Sequence, residues 1–182
     1  MKFIKNIKAL RPIIRKLKIG SFEFRLNINA LKRMQYAYIC FHAAKLGKKL
    51  GYKKISVIEY GVAGGQGLLI LENHIKEIEK YFNIEIDIYG FDTGEGLPEP
   101  IDYRDLPYHW KKGFYSMHHQ DLKKRLKKSK LIIGNIEDTS KTFFTNHNPA
   151  PIGAVIHDFD FYSSTKTALA MMQHNEKHFL PR

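Results

Sequence analysis

Two patterns of apolar residues follow one another along most of the chain: short apolar runs, and apolar residues spaced three and four apart. Short apolar runs near residues 55–58, 84–91, 131–133 and 152–156 predict four β-strands. Apolar residues spaced three and four apart predict helices over about 31–50, 66–82, 118–128, 138–146 and 163–179. Strands that alternate with helices predict an α/β fold with a mostly parallel sheet. Such sheets bind ligands at the carboxyl ends of their strands, so we expect the functional residues just after each strand.

The first 18 residues combine an apolar stripe with a high positive charge. Their apolar residues recur at helical spacing, and the segment carries seven Lys or Arg and no acid. This pattern predicts an amphipathic helix that Pro12 bends or ends. Two interpretations stay open: the stripe packs on the domain, or residues 1–18 make a weak contact with an anionic membrane or polyanion.

A second basic run covers residues 123–128. Leu122 and Leu126 lie four residues apart, so one face of a helix can pack on a core while the cations face water. No zinc-finger spacing or RNA-binding strand accompanies the run, and we therefore expect no specific nucleic-acid partner.

The composition fits a single globular domain with a sizeable core. The chain has 182 residues, of which 43% are hydrophobic, and a formal net charge of +12. We divide it into a basic helical segment, residues 1–50, and an α/β domain, residues 51–182. Cys40 is the single cysteine, so no internal disulfide can form. Without a signal-type or membrane-spanning apolar run, we expect a cytoplasmic protein.

A glycine-rich loop follows the first predicted strand. It contains Gly61, Gly65 and Gly67, which allow a sharp turn and a close approach of a ligand to the backbone. A dinucleotide fingerprint would place a third glycine where Ile70 stands. Glu59 at the strand end instead favours a cationic ligand such as the ammonium group of S-adenosylmethionine. The alternative is an ordinary strand-to-helix connection.

Acidic and polar residues follow the second and third strands. Asp92 ends the second strand, where a carboxylate can accept hydrogen bonds from both ribose hydroxyls of a nucleotide; the alternative is a turn former. The third strand leads into residues 134–139, which are placed to border an adenine. Here the alternative is a helix N-cap at Asp138 or Thr139.

Two carboxylates leave the end of the fourth strand. Asp158 and Asp160 point to the same side if the strand continues. They could hold a hard cation such as Mg²⁺, or one could act as general base on a substrate hydroxyl. The alternative is that Ser163 or Ser164 caps the last helix and that the acids favour its dipole.

The segment from Thr93 to Ser116 is long for a connection in a compact domain and is rich in Pro and aromatic residues. Because it follows the second strand, we expect it to supply substrate contacts. Within it, His109 is either a base or an ordinary surface histidine.

Three of these motifs together resemble the macrocin O-methyltransferase family. They are Glu59-x-Gly61-Val62-x-x-Gly65, the run from Tyr89 to Pro100, and the run from Asp158 to Thr165. The resemblance implies a Rossmann-like class I methyltransferase fold and S-adenosylmethionine-dependent O-methylation of a small molecule such as a sugar. It implies that the cofactor is bound by Glu59, Gly61, Gly65, Gly67, Asp92, Asn135, Ile136 and Glu137. Asp158 and Asp160 would supply a Mg²⁺ ligand and a general base.

The resemblance also implies two features that the sequence lacks. The family has seven strands and a further acidic pair after the fifth, whereas four strands are predicted here. We therefore expect a domain truncated after the fourth strand and its helix, with that strand left as an open edge that a second copy could cover. The alternative function is a non-catalytic cofactor-binding or interaction protein.

Overall fold

A computed structural model describes residues 2–173 and 176–181, and side chains over residues 9–173 and 177–181. Its centre is a four-stranded, all-parallel sheet in the order β3-β2-β1-β4. The strands are β1 (Lys54–Tyr60), β2 (Glu85–Asp92), β3 (Lys130–Ile133) and β4 (Ile152–His157). The predicted α/β fold is thus confirmed, and the carboxyl ends of all four strands meet at one edge of the sheet.

The helices connect and cover these strands. They are α1 (Lys2–Leu17), α2 (Phe22–Asn27), α3 (Met34–Lys49), α4 (Gln66–Phe82), α5 (His119–Arg125), α6 (Ile136–His147) and α7 (Tyr162–Gln173). Two short 3-10 turns cover Tyr103–Asp105 and Glu176–His178.

The core lies on both faces of the sheet because successive strand residues point to opposite sides. On one face, Ile55 and Val57 of β1 join a buried cluster with residues of α2, α3 and α4. On the other face, Ile58 and Tyr60 join a second cluster with residues of α6 and α7. Since β1 is covered on both faces, its residues from Ile55 to Tyr60 are all buried rather than alternately buried and exposed.

Most predicted elements match the structure, with three differences. Helix α4 has the predicted bounds, but α2 was not predicted, because six residues are too few for a periodic pattern. Pro12 does not end α1, which continues through this residue to Leu17, and the alternative that Pro12 bends the helix stays a prediction. The last helix is shorter than predicted, since α7 ends at Gln173.

The edge of β4 is partly covered by the chain itself. Phe179 forms an isolated parallel bridge with Ile152, and the Leu180 N–H donates to the Ile152 carbonyl at 3.0 Å. Phe179 and Leu180 therefore pair with β4 in the manner of a strand, although we had expected this edge of the sheet to be open.

The predicted division at residue 50 stays a prediction. In the structure, Tyr36, Ala37 and Phe41 of α3 share one buried cluster with the sheet. Within the described residues, no helix is both long and apolar enough to cross a membrane.

Candidate active site at the carboxyl ends of the strands

A cleft of about 280 Å³ opens at the carboxyl ends of the strands, a size near the lower end of that of small-molecule sites. The loops after β1, β2, β3 and β4 all contribute to it, together with the start of α3. Its walls include Arg33, Glu59, Gly61, Gly67, Asp92, Leu97, Tyr115, Asn135, Ile136, Asp158 and Asp160.

Glu59 lies at the floor of this cleft and is 1% exposed. Its Oε1 accepts a hydrogen bond of 2.6 Å from the Tyr36 hydroxyl, whereas its buried Oε2 has no hydrogen-bond partner in the part of the chain that the structure describes. Burial raises the pKa of Glu59 to about 7, although the Tyr36 hydrogen bond and the Arg33 charge both lower it. A buried carboxylate oxygen without a donor is ready to receive a hydrogen-bonding cation.

Two residues of the N-terminal half, Arg33 and Tyr36, complete this floor. Arg33 is the N-cap of α3 and has a left-handed backbone with φ of 42°. Its Nη1 donates to the Tyr36 hydroxyl at 2.9 Å and lies 3.5 Å from Asp158 Oδ2. Burial, and then the hydrogen bond to Glu59, raise the pKa of Tyr36. The hydroxyl therefore stays protonated and donates to Glu59.

Sequence reasoning missed both residues. They stand 26 and 23 positions before Glu59, on a helix whose apolar spacing indicates only packing. The available signal was an arginine and a tyrosine three residues apart at the start of that helix.

The glycines of the loop have different roles. At Gly67, an added Cβ would lie 2.0 Å from Glu59 Oε1, and at Gly61 it would lie 2.3 Å from the Asp158 carbonyl oxygen. Gly61 has φ of +84° as well, so only glycine fits there without strain. At Gly65, a Cβ would lie 2.1 Å from Leu122 of α5. Gly61 and Gly67 thus line the cleft, whereas Gly65 allows α5 to pack.

The Asp92 carboxylate holds the glycine loop. Its Oδ2 accepts hydrogen bonds of 2.9 Å from the backbone N–H groups of Val62 and Ala63, and its Oδ1 accepts one of 2.8 Å from Gly94. These bonds stabilise a strained turn, since Ala63 has φ of 46°. Asp92 lines the cleft as predicted, and its bond to Gly94 also fits the turn-forming alternative; its bonds to the glycine loop were not predicted.

The loop after β3 forms both a cleft wall and a helix cap. Asn135 Oδ1 accepts a hydrogen bond of 3.1 Å from the Glu137 N–H, which makes Asn135 the N-cap of α6. The alternative cap at Asp138 or Thr139 is therefore wrong. Asn135 and Ile136 line the cleft, whereas Glu137 borders a separate surface hollow between α6 and α7.

Asp158 and Asp160 both line the cleft, as predicted. The pKa of Asp160 is raised, first by desolvation and then by the charge of Asp158. Asp158 already forms an ion pair with Arg33. Among the described residues, no group of three His, Cys, Asp or Glu side chains comes together. This donor set does not fit a magnesium site, because a guanidinium already neutralises one of the two carboxylates, and we derive no step through a metal.

In the segment between β2 and α5, backbone hydrogen bonds join residues near its beginning to residues near its end. The Leu97 N–H donates to Phe114 and the Gly113 N–H donates to Leu97, each at 2.8 Å. Leu97 and Tyr115 form a wall of the cleft, and the role of this segment in substrate contacts stays a prediction. His109 does not line the cleft.

Comparisons with known proteins support the fold. No protein-family model and no curated protein match the sequence. The crystal structure of the calicheamicin methyltransferase CalS11 is similar to this chain with a TM-score of 0.60 and 19% identity. The similarity covers 93% of this chain and 72% of that one. The fold is that of a Rossmann-like methyltransferase.

A second structure of the same enzyme gives a weaker match. It is described as apo CalS11, TDP-rhamnose 3'-O-methyltransferase, with a TM-score of 0.47 and 18% identity over 95% of this chain and 71% of that one. The specific resemblance to the macrocin O-methyltransferase family stays a prediction.

Proposed function

We propose that this chain is an S-adenosylmethionine-dependent methyltransferase that methylates a hydroxyl oxygen of a small molecule. The observation that carries the proposal is Glu59 at the floor of the cleft, with one buried carboxylate oxygen that has no donor. An ammonium group supplies both the missing hydrogen bond and the opposite charge, and it would bring the pKa of Glu59 below 7.

The other cleft residues fit the remaining parts of this cofactor. A Cβ at position 67 would lie 2.0 Å from Glu59 Oε1, so glycine at this position leaves space beside the carboxylate for a ligand. Arg33 is half-buried beside Asp158 and offers a guanidinium that can bind the cofactor's carboxylate. Ile136 and the cap residue Asn135 offer an apolar wall and a polar edge for an adenine.

In the proposed reaction, S-adenosylmethionine supplies a methyl group attached to a sulfonium, which is a good leaving group. Asp160 is our candidate general base, because its raised pKa favours proton uptake and it has no ion-pair partner among the described residues. Asp158 is held by Arg33 and would orient the substrate hydroxyl. The cleft would contribute mainly by positioning the two reactants.

We further propose a sugar as the methyl acceptor. This rests on the resemblance to the macrocin O-methyltransferases and on the printed activity of the CalS11 neighbour, a sugar O-methyltransferase. The exposed ring of Tyr115 and the apolar side chain of Leu97 provide a surface on which a sugar face can pack.

The test is the release of S-adenosylhomocysteine from S-adenosylmethionine in the presence of a panel of nucleoside-diphosphate sugars. We expect acceptor-dependent release that Asp160→Asn lowers about a hundredfold, the usual contribution of a general base. Asp121→Asn, at an exposed position of α5, is the control. We expect EDTA to leave the rate unchanged.

Two results would change this proposal. Loss of activity in EDTA would restore the magnesium hypothesis. A folded chain that binds S-adenosylmethionine but methylates no acceptor in the panel would favour the non-catalytic, cofactor-binding alternative.

A further inference from the structure

The first helix, α1, leaves its apolar stripe in solvent. Leu10, Ile13 and Leu17 are 48%, 52% and 65% exposed, respectively. They are spaced three and four residues apart, so they lie along one side of the helix. Ile14, which belongs to the same stripe, is half-buried, so the interpretation in which the stripe packs on the domain holds for that residue but not for Leu10 and Leu17.

The more buried side of α1 carries cations. Arg11 and Arg15 are half-buried, and the Nε atoms of both are inaccessible to solvent. Leu10, Ile13 and Leu17 thus face outward, whereas Ile14 lies with Arg11 and Arg15 on the half-buried side of the helix. This orientation is the opposite of that expected for a helix that covers a core.

The end of α1 is fixed to the domain. The Ile19 N–H donates to the Ile14 carbonyl at 3.0 Å, just after the last turn. Lys18 then forms an ion pair of 3.1 Å with Glu77 of α4, which also pairs with Arg25. This ion pair links the end of α1 to α4.

We propose that α1 binds in the plane of an anionic lipid surface. Apolar side chains that enter the acyl boundary, flanked by cations that contact anionic headgroups, are the two features of an interfacial helix. The segment of residues 1–18 has seven Lys or Arg and no acid, so its charge complements such a surface. Met1 lies outside the described residues.

The positive charge of residues 1–18 also argues against other binding partners for the apolar stripe. Two copies of α1 packed together would bring like charges into contact, without acids on either helix to pair them. A free polyanion would bind the cations but would leave the apolar stripe in water. A lipid surface uses both features at once.

The experiment is cosedimentation of the full chain with vesicles of phosphatidylcholine, either pure or mixed with phosphatidylserine. We expect binding to the mixed vesicles only, and loss of that binding in about 1 M salt, where the Debye length is about 3 Å. The combined substitutions Leu10→Ser, Ile13→Ser and Leu17→Ser should weaken binding at least about tenfold. Lys8→Gln with Lys16→Gln should weaken it about 25-fold, at about fivefold for each charge.

Matched controls separate the stripe from general surface properties. Leu46→Ser, Leu50→Ser and Leu169→Ser remove three exposed apolar side chains elsewhere, and Lys45→Gln with Lys49→Gln removes two exposed charges. We expect both controls to bind like the unmodified chain. Far-ultraviolet circular dichroism checks that each variant is folded, and deletion of residues 1–18 is a second way to remove the helix.

Three results would overturn the proposal. One is absence of binding to the phosphatidylserine vesicles. Another is binding that survives the deletion. The third is binding that the charge variant loses but the apolar variant keeps, which would show a polyanion site instead of a membrane helix.

Discussion

Glu59 and Asp105 are both almost inaccessible to solvent, at 1% and 0% exposed, yet their surroundings are opposite. Asp105 accepts hydrogen bonds from the Ile101 N–H, the Ser163 N–H and the Ser163 hydroxyl, at 2.8–2.9 Å. Glu59 accepts one hydrogen bond, from Tyr36, and its other oxygen has no partner.

The pKa values of Asp105 and Glu59 differ because the two carboxylates accept different numbers of hydrogen bonds. Burial alone would raise the pKa of Asp105, but its hydrogen bonds outweigh burial and the pKa lies below the usual range. At Glu59 burial prevails, and the pKa rises to about 7. Asp105 thus joins the long segment after β2 to the first turn of α7, whereas Glu59 keeps an oxygen available at the cleft. Of these two buried acids, Asp105 has a structural role and Glu59 is our candidate for ligand binding.

The largest predicted effect is at Asp105. Asp105→Ala leaves the N–H groups of Ile101 and Ser163 without an acceptor in a buried position, which should lower the free energy of unfolding by about 4 kcal/mol. Urea denaturation at neutral pH measures this change. Asp102→Ala, which removes a surface ion pair with Arg104 and the cap of the 3-10 turn at Tyr103–Asp105, should lower stability much less. Equal effects of the two variants would contradict the structural role of Asp105.

At Glu59 we predict the opposite sign and a dependence on pH. The raised pKa means that the folded state binds more protons than the unfolded state between about pH 4.5 and 7, so stability falls as the pH rises through this window. Glu59→Gln removes that cost and should raise the free energy of unfolding by about 3 kcal/mol at about pH 8, but not at about pH 5.

The measurement is urea denaturation at both pH values, with the exposed Glu85→Gln as control. A stability gain that does not depend on pH would show that Glu59 is not the titrating group.

We expect a smaller change in the free energy of unfolding when Tyr36, the hydrogen-bond donor to Glu59, is substituted. Tyr36→Phe removes the hydrogen bond that lowers the Glu59 pKa, so that pKa should rise further. We expect a loss of about 2 kcal/mol at about pH 8, the range of hydrogen bonds to charged groups, and a smaller loss at about pH 5. Tyr60→Phe is the control, since its hydroxyl makes a long contact of 3.5 Å with the Met171 sulfur. Similar losses in both variants at both pH values would show that only packing was disturbed.

The sequence predicted what depends on local pattern and strand order. Glu59, Asp92, Asp158 and Asp160 lie at the cleft because parallel strands bring their carboxyl ends to one edge, and each of these acids lies at or just after the end of a strand. The glycine loop was predicted on the same basis.

What depends on tertiary contact could not be predicted. Nothing in the spacing of Arg33 and Tyr36 relates them to Glu59, since their meeting requires α3 to pack on β1. Asp105 lies in an irregular segment, and its partner Ser163 is 58 residues further along the chain. Asp92 was expected to bind a ligand, and only the structure shows that its oxygens also hold the glycine loop.

The central claim is that Glu59 receives the ammonium group of S-adenosylmethionine. Calorimetric titration of this ligand between about pH 5.5 and 7.5, below the pKa of an α-ammonium group, tests it directly. We predict that affinity rises up to tenfold per pH unit and levels off near pH 7, the pKa of Glu59. Methylthioadenosine, which lacks the ammonium group, should bind independently of pH. The affinity of the Glu59→Gln variant for S-adenosylmethionine should likewise not depend on pH. Affinity for S-adenosylmethionine that neither the pH nor Glu59→Gln changes would contradict the account.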